Sequence, residues 1–363
     1  MKVSILTFHG SHNYGAMLQA FAIQKAVEKK VDNVEIINYR TQENIETYKV
    51  FKKVNSLKSG IKFLFTLKNY KELMKGYKNF EGFINNFMYT TKPYSTNFDL
   101  LNAQLDTDLI IVGSDQVWNW DSKLDLTYLL DFADNHIKKT SYAASMGDSI
   151  LNEEKAKIVI PILENFNYIT VREEWAKNQL GKHGIKSRRV LDPVFLLNKT
   201  EWENYSTPRR INEKYIILYV LGKSSQINNI IDKVNAEKKY KVVLITDEPY
   251  KNINCDYCFR DSGPQEFLSL IEYAECVLTT SFHGTALSLI YGKEFYTVSR
   301  NRKSVRILDL LKDLDIEHRY IDTVDDIHLD RKIDYYTTSN KLKTMIDESY
   351  LILDELLNVG DYE

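Results

Sequence analysis

The residues Thr279-Thr280-Ser281-Phe282-His283-Gly284-Thr285 set an imidazole where a short apolar run, Val277–Thr280, gives way to helical spacing over His283–Tyr291. Imidazole titrates near neutrality and can pass a proton in either direction. A lone histidine is usually structural, so the weight rests on its place at a strand end beside Ser and Thr hydroxyls. Downstream, Ser299–Arg306 (SRNRKSVR) follows the run Phe295–Val298 and carries Arg300, Arg302 and Arg306, while Arg172 closes the run Tyr168–Val171. Guanidinium forks match carboxylate and phosphate oxygens with paired hydrogen bonds that lysine cannot copy. A charge cluster is more often a solvated face. Basic groups from both halves of the chain, each at a strand end, instead suggest one anionic ligand shared between them.

Two further loops have chemistry to offer. His9-Gly10-Ser11-His12-Asn13-Tyr14-Gly15 joins a first apolar run to a first helical segment. Its glycines allow close backbone approach, and the helix start offers N–H groups to an anion or a sugar hydroxyl. The spacing is not G-x-G-x-x-G, so a dinucleotide site is not indicated. Asn13, Tyr14 and Gly15 are the ligand contacts expected there. Gly113-Ser114-Asp115-Gln116-Val117-Trp118-Asn119 follows the run Asp108–Gly113 directly. Ser114, Gln116 and the indole of Trp118 are of the types that line carbohydrate subsites, and Asp115 is placed to orient or deprotonate a hydroxyl. Ser145-Met146-Gly147-Asp148 occupies a similar position after Thr140–Ala144.

These loops need a frame, and the rhythm of the chain is strand, loop, helix. Val3–Phe8, Val34–Tyr39, Asp108–Gly113, Lys139–Ala143, Tyr168–Arg172 and Arg189–Leu191 read as strands, and Ala16–Lys29 has helical periodicity. A second series follows: strands over Lys214–Leu221, Lys241–Thr246 and Val277–Thr280, with helices over Gln226–Lys239 and Pro264–Glu275. Short apolar runs alternating with helices predict parallel sheets covered on both faces. The fold class expected is therefore α/β, with two Rossmann-like domains. Their limits are expected at 1–204, an acceptor-binding domain with a basic amphipathic insertion over 45–95, and at 205–340, a donor-binding domain. A closing helix over 341–363 is expected to pack back toward the first.

Composition bounds the rest. A chain of 363 residues, 44% hydrophobic, with a net charge of −2, can bury a large core and shows no global bias toward nucleic acid. The N-terminus lacks the features of a secretory signal, and no run of about twenty apolar residues spans a bilayer. A cytoplasmic location is expected, peripheral at the inner face of the membrane if the insertion engages lipid. Between Lys49 and Phe80 lysines alternate with apolar residues against the single acid Glu72. Such a segment either lies on a membrane surface or packs its apolar face on the domain. Cys255 and Cys258 have C-x-x-C spacing without a second pair, and read as reduced structural thiols along with Cys276.

The motifs HNYGAMLQAFAIQ, LIIVGSDQVWN, SYAASMG, ITVREE, VLDPVFLL, TTSFHGTALSLIYGKEF and the Arg-rich run to Arg306, in this order, resemble the polysaccharide pyruvyl transferase family. The resemblance covers most of the chain. It implies a GT-B-like fold with two domains facing a cleft, phosphoenolpyruvate as donor, and a saccharide acceptor, lipid-linked for a cytoplasmic enzyme. It implies a product carrying pyruvate as a ketal across two hydroxyls of one sugar. The family histidine falls on His283 and its strand-end arginine on Arg172. Members with an S-R-L-H motif have Arg where this chain has Ser281, so the donor contact of that Arg does not carry over, and Ser281 itself is expected only to line the donor site. Arg300, Arg302 or Arg306 is expected to supply the missing charge. An acid that follows Asn-x-Gly in some members is Ala16 here, so no role transfers to it.

On this reading His283 is the acid that protonates the donor methylene, while Arg172 and the cluster hold the donor's two anionic groups. No cofactor and no metal is called for. A glycosyltransferase using a nucleotide sugar is the main alternative, because fold alone does not decide function. A non-catalytic saccharide-binding protein is the third.

Overall fold

The computed structural model describes residues 1–121, 124–221, 226–237, 239–246, 253–299 and 304–358. The chain forms two compact units. The first comprises Met1–Ile45, Ile84–Leu197 and Leu342–Glu363, and the second Glu46–Phe83 and Asn198–Lys341. Sequence order had put the whole insertion with the first half; its contacts put Glu46–Phe83 with the second.

The first sheet contains β1 (Lys2–Leu6), β2 (Asn33–Ile36), β3 (Leu109–Val112), β4 (Lys138–Ala144), β5 (Tyr168–Val171) and β6 (Arg188–Arg189). Their spatial order is β2-β1-β3-β4-β5-β6, and every pairing is parallel, with Val3 beside both Val34 and Leu109. Helices cover such a sheet on both faces, so its strands read as continuous apolar runs rather than alternating ones. The Leu-Ile-Ile-Val of β3 is buried throughout. The helix Tyr14–Glu28 is likewise largely interior: 12 of its 15 residues are buried, and only Tyr14 and the Lys25–Glu28 ion pair are partly exposed. Asn13 starts it by accepting the Ala16 N–H at 3.2 Å.

The second sheet contains β7 (Tyr215–Tyr219), β8 (Lys241–Ile245), β9 (Tyr257–Phe259), β10 (Cys276–Thr279), β11 (Glu294–Val298) and β12 (Tyr320–Ile321). Its order is β12-β11-β10-β7-β8-β9, again parallel throughout. Strands β9 and β12, three and two residues long, carry no pattern that sequence reading could catch.

Both sheets reverse their winding once, between β1 and β3 in the first and between β7 and β10 in the second. Ligands in open α/β sheets bind beyond the carboxyl ends of the strands at such a reversal. The loops carrying Ser114 and Asp115, and the turn carrying His283, leave those strands.

The closing helix runs from Tyr335 to Leu357, and its part from Leu342 onward belongs to the first unit. There the Leu191 N–H donates to Ser349 Oγ at 3.1 Å, and Arg188 pairs with Glu355 at 2.6 Å. Among the described residues no helix is long and apolar enough to cross a membrane.

Candidate active site

In the first unit the reversal crevice is tied shut at its base. Thr7, just beyond β1, donates from Oγ1 to the carbonyl of Ser114 at 2.9 Å, and Gln19 Nε2 donates back to Thr7 Oγ1 at 2.9 Å. Gly113 is required for this approach: a Cβ there would stand 3.0 Å from Thr7 Cβ. The chain then turns through Asp115, whose φ of 68° is left-handed and uncommon for any residue but glycine. Asp115 is half-buried, and its Oδ1 accepts its neighbour's N–H, that of Gln116, at 2.9 Å. Ala143, at φ 52°, and Gly147, at φ 63°, add two more left-handed positions at the end of β4. A Cβ on Gly147 would meet Gln116 Oε1 at 2.8 Å. Backbone strain of this sort persists only where the surroundings over-determine it, and it gathers at functional sites.

Beneath these loops lies a buried charge network. Arg172 Nη1 donates to Asp192 Oδ2 at 2.5 Å, and Arg172 Nε donates to Glu173 Oε1 at 3.2 Å. Ser114 Oγ shares Asp192 Oδ2 at 2.9 Å, and Ser145 Oγ shares Glu173 Oε1 at 2.5 Å. Burial alone would lower the guanidinium's affinity for its proton. The carboxylates of Glu173, Asp192 and Asp115 outweigh that and raise it, so Arg172 stays charged. Its side chain is only 3% exposed. Arg172, expected at the donor, is held here by two carboxylates of its own unit. Residue type and spacing alone assign no role to Asp192 or Glu173. The available signal was Asp192 immediately after the run Arg189–Leu191, another strand end.

Trp118 also departs from expectation. Its side chain is fully buried, its Nε1 donates to the Tyr128 carbonyl at 2.8 Å, and its ring stacks with Trp120 at 6.3 Å. An indole enclosed on all sides has no face for a sugar, so Trp118 belongs to the core. Gln116 is half-buried, and its Oε1 accepts from Asn119 Nδ2 at 2.7 Å. Asn13 and Tyr14 are half-buried at the helix start, and Gly15 is buried beside them.

The second unit repeats the stitching with different residues. Thr279 Oγ1 donates to the Tyr219 carbonyl at 2.8 Å and accepts the Ser281 N–H at 3.0 Å. Thr280 Oγ1 donates to the Leu221 carbonyl at 3.1 Å and accepts the Leu221 N–H at 2.8 Å. The ends of β7 and β10 are thus held together where the winding reverses. Ser281, expected at the donor, is the N-cap of the helix Phe282–Ile290, its Oγ accepting the Gly284 N–H at 3.4 Å. His283 is the second residue of that helix and is 6% exposed. Its ring meets Phe282 edge-on at 5.3 Å. Gly284 sets how deep the helix sits, because a Cβ there would come within 2.4 Å of Thr279 Oγ1.

Of the three arginines expected with His283, Arg306 is half-buried in the first turn of the helix Val305–Asp313. Arg300 and Arg302 lie outside the described residues. Cys255 and Cys258 are free thiols whose pKa values burial pushes up, which is the opposite of an activated thiolate.

Residues 13–302 match the model of the polysaccharide pyruvyl transferase family. No curated protein matches the chain at a significant level. Among solved structures, a candidate UDP-N-acetylglucosamine 2-epimerase from Listeria monocytogenes is similar, with a TM-score of 0.58 at 8% identity over 98% of this chain and 96% of that one. The UDP-GlcNAc 2-epimerase of Methanocaldococcus jannaschii, in complex with UDP-GlcNAc and UDP, has a TM-score of 0.50 at 14% identity over 99% of this chain and 100% of that one. Identity this low speaks for the fold alone: two Rossmann-like units of the GT-B-like class.

Proposed function

Since the chain belongs to the polysaccharide pyruvyl transferase family, we propose that it moves the pyruvyl group of phosphoenolpyruvate onto two hydroxyls of one sugar. The product is a ketal on a surface polysaccharide or its lipid-linked precursor. The observation that carries this reading is the seat of His283 in the first turn of a helix that starts at the winding reversal of its sheet. A helix start favours negative charge, and the donor is an anion.

The chemistry follows from the donor. One acceptor oxygen bonds to the enol carbon while the methylene gains a proton and becomes methyl. The bond from that carbon to the phosphate oxygen breaks, and phosphate leaves with the electron pair. The second hydroxyl oxygen then bonds to the same carbon, and its proton goes to phosphate. Two O–H bonds, one C=C π bond and one C–O bond are lost; two C–O bonds, one C–H bond and one phosphate O–H bond are formed. Nothing is oxidised or reduced, so phosphoenolpyruvate is the co-substrate and no cofactor or metal enters the scheme.

In this proposal His283 delivers the proton to the methylene carbon, a role within reach of general acid catalysis. Asp115 orients the attacking hydroxyl, with Ser114, Gln116, Asn13, Tyr14 and Gly15 on the acceptor side. Arg306, with Arg300 and Arg302, answers the donor's phosphate and carboxylate. Arg172 is a positioning residue that acts through Asp192 on the Ser114 loop.

Donor choice tests the reading. Phosphoenolpyruvate should raise the unfolding midpoint of the protein, because a ligand that binds only the native state stabilises it by mass action. Stabilisation by UDP and none by phosphoenolpyruvate would move the chain to nucleotide-sugar chemistry.

A further inference from the structure

Leu57, Ile61, Leu64 and Leu67 recur at spacings of four, three and three, which gathers side chains on one stripe of a helix. The helix forms over Leu57–Lys68, capped by Ser56, whose Oγ accepts the Ser59 N–H at 3.2 Å. In a globular protein such a stripe ordinarily faces the core. Here it faces outward, with Leu57 86%, Ile61 49%, Leu64 66% and Leu67 50% exposed.

The orientation is fixed by contacts on the other side of the segment, all within the second unit. Phe65 lies under the guanidinium of Arg260 at 5.4 Å, and Phe63 meets Phe51 at 5.7 Å. In the next helix, Tyr70–Phe87, Asn79 Nδ2 donates to the Asp261 carbonyl at 2.9 Å and to Glu266 Oε1 at 3.1 Å. Lys75 pairs with Asp261 at 2.7 Å, and a Cβ on Gly76 would stand 2.8 Å from the Arg260 carbonyl oxygen. The helix that carries the leucines adjoins this docked neighbour in the chain and is held through Phe65 on Arg260, with its stripe left outward.

Charge says what covers them. Lys52, Lys53, Lys68, Lys71 and Lys78, in the same basic segment as the apolar stripe, are exposed. The one acid between Lys49 and Phe80, Glu72, lies 3.7 Å from Arg260. We propose that this face docks on an anionic lipid bilayer, its aliphatic side chains entering the headgroup–acyl boundary and its lysines lying over the headgroups. A second copy of the chain is a poorer occupant, because a two-fold contact would set two equally basic surfaces against each other. A polynucleotide would leave four aliphatic side chains in water. The surface carries this inference without appeal to the reaction.

The test is sedimentation of the full chain with phosphatidylcholine vesicles, with and without phosphatidylglycerol. Each lysine near an anionic surface is worth roughly fivefold in partition. Several together should give at least about tenfold preference for the anionic vesicles, weakened by salt. Ile61→Asp with Leu64→Asp, and separately Lys68→Glu with Lys71→Glu, should each cut binding by at least about tenfold while the unfolding midpoint holds. Should the aspartate pair fail to fold, Leu64→Trp supplies a second readout: a blue shift of the added emission on anionic vesicles, against the wild-type background. Absence of vesicle binding would overturn the proposal. So would binding that ignores both sets of substitutions, or self-association that the leucine substitutions abolish in a chain that ignores vesicles. These readouts do not involve phosphoenolpyruvate, so failure here and failure of the proposed reaction are separately visible.

Discussion

Arg172 Nη1 donates to Asp192 Oδ2 at 2.5 Å, with the two side chains 3% and 0% exposed. The same carboxylate oxygen receives the Ser114 hydroxyl at 2.9 Å, so one buried acid ties the end of β5 to the loop that carries Asp115. Removing one member of a buried ion pair strands the other without water, a loss of about 3–5 kcal/mol. Asp192→Ala should therefore lower unfolding free energy by about that amount in urea titration. Arg172→Lys should also lose stability, because a single ammonium cannot reproduce the fork that reaches both Asp192 and Glu173. A variant as stable as the wild type would show the network to be dispensable.

Gly284 lets its helix settle onto β10. Adding one methyl at 2.4 Å from Thr279 Oγ1 forces a backbone shift, which in a packed interior costs about 1–3 kcal/mol. Gly284→Ala should lose that much in denaturant titration. It should also lower kcat more than it changes phosphoenolpyruvate binding, because the shift moves His283. Full activity would mean that the histidine's depth is unimportant.

His318 is set to make stability depend on pH. Burial first, and then the positive charges of Arg331 and Arg319, push its pKa from 6.5 down to about 4. The folded form therefore holds this proton less tightly than the unfolded chain does. Its contribution is complete above pH 6.5 and is lost as pH falls through that interval toward 4. Neither ring nitrogen has a hydrogen-bond partner among the described residues, so His318→Leu sacrifices no bond. The unfolding midpoint of the wild type should fall more steeply between pH 6.5 and 4 than that of His318→Leu. Equal slopes would contradict this.

His283→Ala should cut turnover by roughly 10²–10⁴-fold if the imidazole passes a proton in the rate-limiting step. Stabilisation by phosphoenolpyruvate should survive. Near-normal turnover would remove His283 from the chemistry.

Much of the frame was legible in the sequence because strands buried on both faces are simply apolar: Leu109–Val112 and Tyr215–Tyr219 announce themselves. The loops worth watching followed, since each leaves such a run. Pairing was harder to see. Arg172 and Asp192 are 20 residues apart and meet through the adjacency of β5 and β6. Trp118 looked like a sugar platform because an indole after a polar loop can be one; only packing shows that it is enclosed. The insertion was assigned by sequence order to the first half, whereas its anchor joins Asn79 to Asp261, 182 residues away. The left-handed turn at Asp115 leaves no trace in hydrophobic pattern at all.

Incubating the protein with phosphoenolpyruvate and a panel of lipid-linked saccharides, while following phosphate release together with acceptor mass, separates pyruvyl transfer from its rivals. Pyruvyl transfer releases phosphate in step with an acceptor that gains one pyruvate-derived ketal and loses both reacting hydroxyl protons. Phosphate release without a change in acceptor mass, or an acceptor lengthened by a sugar from a nucleotide donor, would contradict it.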